Sequence, residues 1–290
     1  MEKVWIKCNS CGADSFQELS SVGEWHIGRC SQCSLIYVNP TPFFNASEDF
    51  SEMSLDFQYT QYMHLQISQK TLDFERQQMR WQLAQATSLG ATPTQGRLLD
   101  VGCGSGASVR AAVDLGWEAL GIDIDPQLIK HGREQLGVDL RSTTLLEAGL
   151  PDTAFDFIRL RDVIEHLPNP YDILLEIRRL LAPHGVVLIV TPNENGLPTR
   201  ARLLLGKERN RVATVPPPHH LHGFEPSTLQ RILERAGLSV QQITTTTPVD
   251  RRYVTSNNMR STNQYLYRLI WRSSKALGMG SVLVAWATKS

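Results

Sequence analysis

The chain has 290 residues, 41% hydrophobic and 20% charged. At ~150 residues per domain that suits about two compact units with a sizeable core, and it excludes a disordered chain or a disulfide-stapled miniprotein. Lysine plus arginine (29) equals aspartate plus glutamate (29), so no global field draws the protein to nucleic acid or acidic lipid; such a partner would need a local patch.

The segment Met1–Cys8 carries Glu2, Lys3 and Lys7 without an apolar stretch. The longest aliphatic run, Val186–Val190, is too short for a membrane span, so a cytoplasmic protein is expected. Four of the five cysteines form two CxxC pairs, Cys8/Cys11 and Cys30/Cys33. In a reducing compartment such pairs are metal ligands more often than disulfides. Each pair turns two thiolates to one side of a tight knuckle, and four thiolates leave no position for water, so a closed structural zinc site is expected. Metal binding would fold residues 1–40 as a zinc ribbon, a unit separate from the rest of the chain. The fifth cysteine, Cys103, stands between two glycines, where its backbone matters more than its sulfur.

The ribbon exits through Tyr37-Val38-Asn39-Pro40-Thr41-Pro42, which cannot continue a helix. Residues 41–95 read as a helical linker or lid. Within it, 68–89 lacks Gly and Pro and repeats Leu72, Phe74, Met79, Trp81, Leu83 and Ala86 near helical spacing. From residue 96 to 290 short apolar runs alternate with helical segments: strands at 97–101, 119–123, 155–160 and 186–190, with helices at 108–115, 126–136 and 171–181 between them. This alternation of strand and helix predicts an α/β fold with an open, mainly parallel sheet. Pro183-His184-Gly185 predicts a turn ahead of the strand at 186. Residues 239–247 and 282–288 are further strand candidates, separated by a helical stretch at 263–277.

Leu98-Leu99-Asp100-Val101-Gly102-Cys103-Gly104-Ser105-Gly106 is a strand running into a glycine loop ahead of a helix, which lets backbone approach a ligand closely. Dinucleotide-binding proteins use such loops too. Here the spacing is GxGxG rather than GxGxxG, and Asp100 precedes the loop where it would repel a pyrophosphate. Asp123 ends the next strand, where a carboxylate can accept bonds from both ribose hydroxyls. With Gly-Ile-Asp-Ile-Asp-Pro at 121–126, Phe-Asp-Phe-Ile at 155–158, Val-Ile-Glu-His-Leu at 163–167 and Leu-Ala-Pro-His-Gly at 181–185, the chain resembles the class I S-adenosylmethionine-dependent methyltransferases.

That resemblance implies a Rossmann-like sheet with an antiparallel last strand, and S-adenosylmethionine as cofactor. By position, Asp100, Gly102, Gly104 and Gly106, with Cys103 in the same loop, inherit the methionine end. Asp123 inherits the ribose and Ile124 the adenine face. Many members carry an acid near the adenine amino group; this chain has Thr144-Leu145 there, which leaves adenine to backbone or to Thr144.

Methyl transfer from a sulfonium needs position, dehydration and, for a hydroxyl acceptor, a base. Beyond the strand at 186–190 lie His219-His220-Leu221-His222-Gly223-Phe224, in which His220 and His222 match a His-x-His-x-Phe pattern of similar small-molecule methyltransferases. Each is either a general base or a loop tether. Asp162, Glu165 and His166 would share one helix face and either hold a divalent ion, as the similar helix does in quinone-biosynthesis O-methyltransferases, or form a capping box; the capping box is the preferred reading.

The run Arg200, Arg202, Lys207, Arg209 and Arg211 either grips a phosphate or, preferably, is a solvated face. The apolar stretch at 265–271 is read as a helix over the sheet rather than a membrane-surface helix. The acceptor is expected to be a small polar molecule, a sugar or other biosynthetic intermediate. The rival readings are ribosomal RNA base methylation, disfavoured by the charge balance, and a non-catalytic cofactor-binding scaffold.

Overall fold

A computed structural model describes residues 3–42, 63–89, 96–205, 215, 217, 219–246, 273–274 and 276–289. Lys207, Arg209, Arg211 and most of the 263–277 helical reading lie outside them. Among the described residues no helix is long and apolar enough to cross a membrane.

The N-terminal part is a meander of β2 (Phe16–Val22), β3 (Trp25–Cys30) and β4 (Ile36–Val38), flanked by the short pair β1 (Lys3–Val4) and β5 (Thr41–Pro42). Helix α1 (Gln69–Ser88) follows, its first turn capped by the Ser68 hydroxyl. Met79, Leu83 and Ala86, spaced one turn apart, bury its inner face in the same cluster as Val109 and Ala112.

Then comes the alternating part: β6 (Arg97–Val101), α2 (Ala107–Asp114), β7 (Glu118–Asp123), α3 (Pro126–Leu136), β8 (Asp139–Ser142), β9 (Phe155–Arg161), a 3-10 turn (Ile164–His166), α4 (Pro170–Leu180) and β10 (Leu181–Pro192). Helix α5 (Leu197–Leu205), β11 (His222–Gly223), α6 (Pro226–Arg235), β12 (Leu238–Thr246) and β13 (Val282–Lys289) complete the order.

The main sheet runs β12-β13-β10-β9-β6-β7-β8. The five strands β10 to β8 are parallel, and β13 is antiparallel to β10 and to β12. This is the Rossmann-like methyltransferase sheet with its antiparallel last strand. Chain order reverses at β6, whose neighbours are β7 and β9, so a crevice opens at the carboxyl ends of β6 and β9.

Three local readings change. The turn at Pro183-His184-Gly185 is a bulge inside β10: Leu181 already pairs with Phe155, and the ladder resumes at Val186 with Phe157. Strand β8 and strand β11 are not among the expected elements. Strand β11 joins the ribbon, pairing His222 with Tyr37 and Gly223 with Ile36, so the ribbon's sheet is β11-β4-β3-β2 and takes its edge from the far part of the chain. Cys8, Cys30, Leu35 and Tyr37 accordingly share one apolar core with Leu160, Ile164, Ile189 and Phe224.

Candidate functional site

The glycine loop leaves β6 with Gly102, Gly104 and Gly106 all at positive φ. At Gly102 a Cβ would lie 2.3 Å from the Val163 side chain, and at Gly104 one would lie 2.4 Å from Gln66 Oε1, so neither position admits a side chain without displacement. Cys103 is buried, its thiol directed to the Gly104 carbonyl. The two acids of 123–125 divide their work. Asp125 caps α3 by accepting from the amides of Gln127 and Leu128, at 2.9 and 3.2 Å. Asp123 instead turns to the loop: Oδ2 accepts the Gly104 N–H at 2.8 Å and Oδ1 the Asp125 N–H at 3.0 Å. Burial raises its pKa, opposed by those two amide bonds. Ile124 is half-buried beside it.

Asp100 is 1% exposed, and its Oδ2 accepts from Arg159 Nη1 at 2.8 Å and from the Ser108 hydroxyl. Arg159 also reaches Glu75 on α1 at 3.0 Å, and Arg161 binds the other Glu75 oxygen at 2.7 Å. The acid expected at the methionine end is thus part of a buried ion network under the loop. Gln66, ahead of α1, lies above the loop, where its Oε1 accepts the Ser105 N–H at 3.2 Å. Neither Gln66 nor the Glu75–Arg159 pair was expected from the sequence. Thr144 gives its hydroxyl to Glu147 at 2.7 Å, which places an exposed acid beside the expected adenine position, while Leu145 is buried in the apolar core.

Beyond β9 the capping-box reading fails. Asp162 has φ 55°, the turn 164–166 has no side-chain cap, and Glu165 points inward to accept the Thr191 hydroxyl at 2.9 Å. Burial pushes the Glu165 carboxyl up to about 8, and Asp162 nearby adds to it. The structure brings His220 to this turn: the His166 and His220 rings meet edge to face at 4.6 Å, and His166 Nδ1 lies 2.5 Å from the His219 carbonyl. Burial lowers the His166 pKa. One donor atom each from Glu165, His166 and His220 lie within 4.8 Å of one another, a set able to hold a metal ion.

His222 is elsewhere. It is 1% exposed, stacked between Tyr37 and Phe224, with Nε2 3.3 Å from Asn9 Nδ2. Burial pushes its pKa down to about 3. A neutral ring sealed against the ribbon cannot reach an acceptor, so of its two sequence readings the geometry matches the tether and not the base.

In the ribbon the four sulfurs lie within 4.8 Å of one another, Cys8 Sγ 3.4 Å from Cys33 Sγ and Cys11 Sγ 3.6 Å from Cys30 Sγ. All four cysteines are free of disulfides. The Cys8 thiol holds the Cys33 pKa down, favouring thiolate character. Between ribbon and sheet lies a cleft of about 180 Å³ lined by Arg29, Ser34, Glu194, Asn195, Arg200 and Glu225.

The sequence profile of the family described as methyltransferase domain matches residues 74–243. The chain belongs to the class I S-adenosylmethionine-dependent methyltransferases. A protein named probable S-adenosylmethionine-dependent methyltransferase from Mycolicibacterium smegmatis is 32% identical over 145 residues, 50% of this chain and 52% of that one. A ubiquinone biosynthesis O-methyltransferase of Cereibacter sphaeroides is 31% identical over 66% of this chain and 76% of its own length. The chain therefore spans from about half to about three quarters of these relatives. A methyltransferase structure from Archaeoglobus fulgidus shares the fold with a TM-score of 0.53 at 20% identity, covering 81% of this chain and all of that one. The crevice at β6 suits the S-adenosylmethionine after which this family is described: side-chain-free backbone at the loop, and an acid at the end of β7.

Proposed function

We propose that this methyltransferase acts on a hydroxyl of a small polar acceptor, a sugar or other biosynthetic intermediate, with His220 as the base and Cys8, Cys11, Cys30 and Cys33 holding one structural zinc. The observation that carries the reading is the meeting of His220 with His166 over Glu165, at the carboxyl ends of the central strands, where ligands bind in such sheets. The lining of the cleft between ribbon and sheet supports a polar acceptor: beside Ile36 and Gly223 it holds two arginines, two carboxylates, an asparagine and a serine, which suit hydroxyl and charged groups.

Within this reading the chain divides into ribbon 1–40, lid 41–95 and catalytic domain 96–290. The loop backbone from Gly102 through Cys103 and Gly104 to Gly106 receives the methionine end, with Asp100 holding the loop from below rather than touching the ligand. Asp123 accepts the ribose hydroxyls, Ile124 packs on adenine, and Thr144 with the backbone at Leu145 borders the adenine edge. The cofactor supplies an activated methyl group; this chain's residues align the acceptor oxygen, exclude water and take its proton at a His220 ring nitrogen. Balanced charge favours a small acceptor over nucleic acid, and two CxxC pairs of metal-ligand type favour a cytoplasmic setting.

A second reading has Glu165, His166 and His220 hold a divalent ion that binds the acceptor oxygen, supported by their three donor atoms within 4.8 Å. The test is mass-spectrometric detection of methyl transfer to pooled nucleotide sugars, quinone precursors and RNA. On the acceptor so found, His220→Ala should lower turnover by about 10²- to 10⁴-fold with cofactor affinity intact. Rescue of metal-stripped enzyme by magnesium would select the second reading. Transfer to RNA alone, or a fully active His220→Ala enzyme, would overturn the first.

A further inference from the structure

The structure joins the cysteine ribbon to the His166–His220 pair by a continuous chain of contacts. We propose that Asn9 and His222 are positioning residues that fix His220, so that the ribbon is a working part of the acceptor site rather than an appendage. The proposal rests on the reading of His220 as the acceptor-side base.

The first knuckle shows the coupling most directly. Its two middle residues, Asn9 and Ser10, lie between ligand-type cysteines yet are buried, and both bond the catalytic part. Asn9 Nδ2 meets His222 Nε2 at 3.3 Å, and the Asn9 carbonyl accepts from Arg235 Nη1 at 2.8 Å. The Ser10 hydroxyl donates to the Thr228 carbonyl at 2.9 Å. A knuckle that only closed a ribbon would need none of these bonds. Buried polar groups cost free energy unless paired, so these bonds fix the knuckle against α6 and β11.

The segment that receives this contact is the one that carries His220. The Leu221 peptide is gripped from both sides: its N–H donates to the Glu165 carbonyl at 2.8 Å, and its C=O accepts the Val38 N–H of the ribbon at 2.9 Å. On the other flank the His219 carbonyl lies 2.5 Å from His166 Nδ1. His220 therefore sits between two bonds to the 164–166 turn, and the next peptide and side chain, Leu221 and His222, are held by the ribbon. The stack of Tyr37, His222 and Phe224 fills the seam with close-packed rings, so a shift of the knuckle is transmitted rather than absorbed. A displacement of about 1 Å at a reacting group can cost on the order of 10²-fold in rate.

The experiment reads the histidines themselves and needs no acceptor. The full chain is prepared with isotope-labelled histidine, and the His166 and His220 ring signals are assigned from His166→Gln and His220→Gln. Asn9→Ala removes the side-chain bond and leaves the His222 ring in place, so it isolates the ribbon's effect; His222→Phe keeps a ring in the stack while losing both the Asn9 contact and the ring's interaction with the Leu167 backbone; His184→Gln, on the exposed bulge, is the control. The expected result is that Asn9→Ala and His222→Phe both shift the His166 and His220 signals, while zinc content and S-adenosylmethionine affinity stay at wild-type values. His184→Gln should leave the two signals in place. If His222→Phe does not fold, Asn9→Ala decides alone. Unmoved signals in the folded variants would overturn the proposal, as would shifts that appear only with lost zinc and weakened cofactor binding. Shifted signals together with a fully active His220→Ala enzyme would leave the coupling standing and refute the base.

Discussion

Asp123 offers the sharpest test of the cofactor crevice. Its carboxylate already accepts two backbone amides, Gly104 N–H at 2.8 Å and Asp125 N–H at 3.0 Å, and an ionised carboxylate has about four lone-pair sites, which leaves two for the ribose hydroxyls. Asp123→Asn keeps the size but has one acceptor oxygen in place of two, so the charge-assisted bonds to the ribose are lost together with one of the two backbone amide bonds. A hydrogen bond to a charged group is worth about 1.5–3 kcal/mol, which translates into S-adenosylmethionine binding weaker by about 10- to 150-fold. Titration calorimetry measures this, with thermal melting to show that the fold is unchanged. A cofactor analogue lacking the ribose 2′-hydroxyl should bind weakly to both enzymes and narrow the gap between them. Burial raises the Asp123 pKa, so wild-type affinity should fall on acidification already above the ordinary aspartate range, a limb absent from the variant. Equal affinities for the intact cofactor in wild type and Asp123→Asn, with equal melting, would refute the ribose assignment.

Two further outcomes are expected from the buried groups. Elemental analysis should find about one zinc per chain, lost in Cys11→Ser or Cys33→Ser; only traces of zinc, with all four thiols titratable in the native state, would exclude the structural metal. Glu165 holds its proton in the fold up to about pH 8 against a reference value of 4.5, so the native state binds a proton the unfolded chain has released. Stability should therefore fall as pH rises through that window, and Glu165→Gln should flatten the fall in denaturant titrations; an unchanged slope would show that the carboxyl is ionised in the fold.

The parallel sheet was legible because each central strand is an apolar run between turn signals, and the loop was legible because three glycines at positive φ leave few alternatives. What the sequence could not show depends on distant partners. Strand β11 is two residues long and has no strand pattern of its own; it exists because Ile36 and Tyr37 offer an unpaired edge. Strand β8 buries only Leu140, too little alternation to signal an edge strand. The Asp162-to-His166 spacing invited a helical reading, but a left-handed Asp162 and a single 3-10 turn send Glu165 inward to Thr191. The two histidines of His-x-His looked equivalent, and only the fold separates them, one sealed in the ribbon seam and the other beside His166.

An acid in the right motif position need not be a ligand, and Asp100 shows why. Arg159 lies in the middle of β9, a strand buried along nearly its whole length, and a guanidinium there is tolerable only with its charge paired. Asp100 from β6 and Glu75 from α1 supply that pairing, one on each terminal nitrogen. Removing either carboxylate would leave one terminal nitrogen of a buried cation without its partner, and in the fold both are bound to Arg159. The arrangement also fixes α1 to the strand beneath the cofactor loop, and Gln66, just ahead of that helix, is thereby held over Ser105. The helix is anchored by buried ion pairs, whereas Gln66 ahead of it meets the loop through an amide hydrogen bond. Among the described residues a ligand approaching the Ser105 N–H has that one bond to exchange, and the anchor can stay intact while it does.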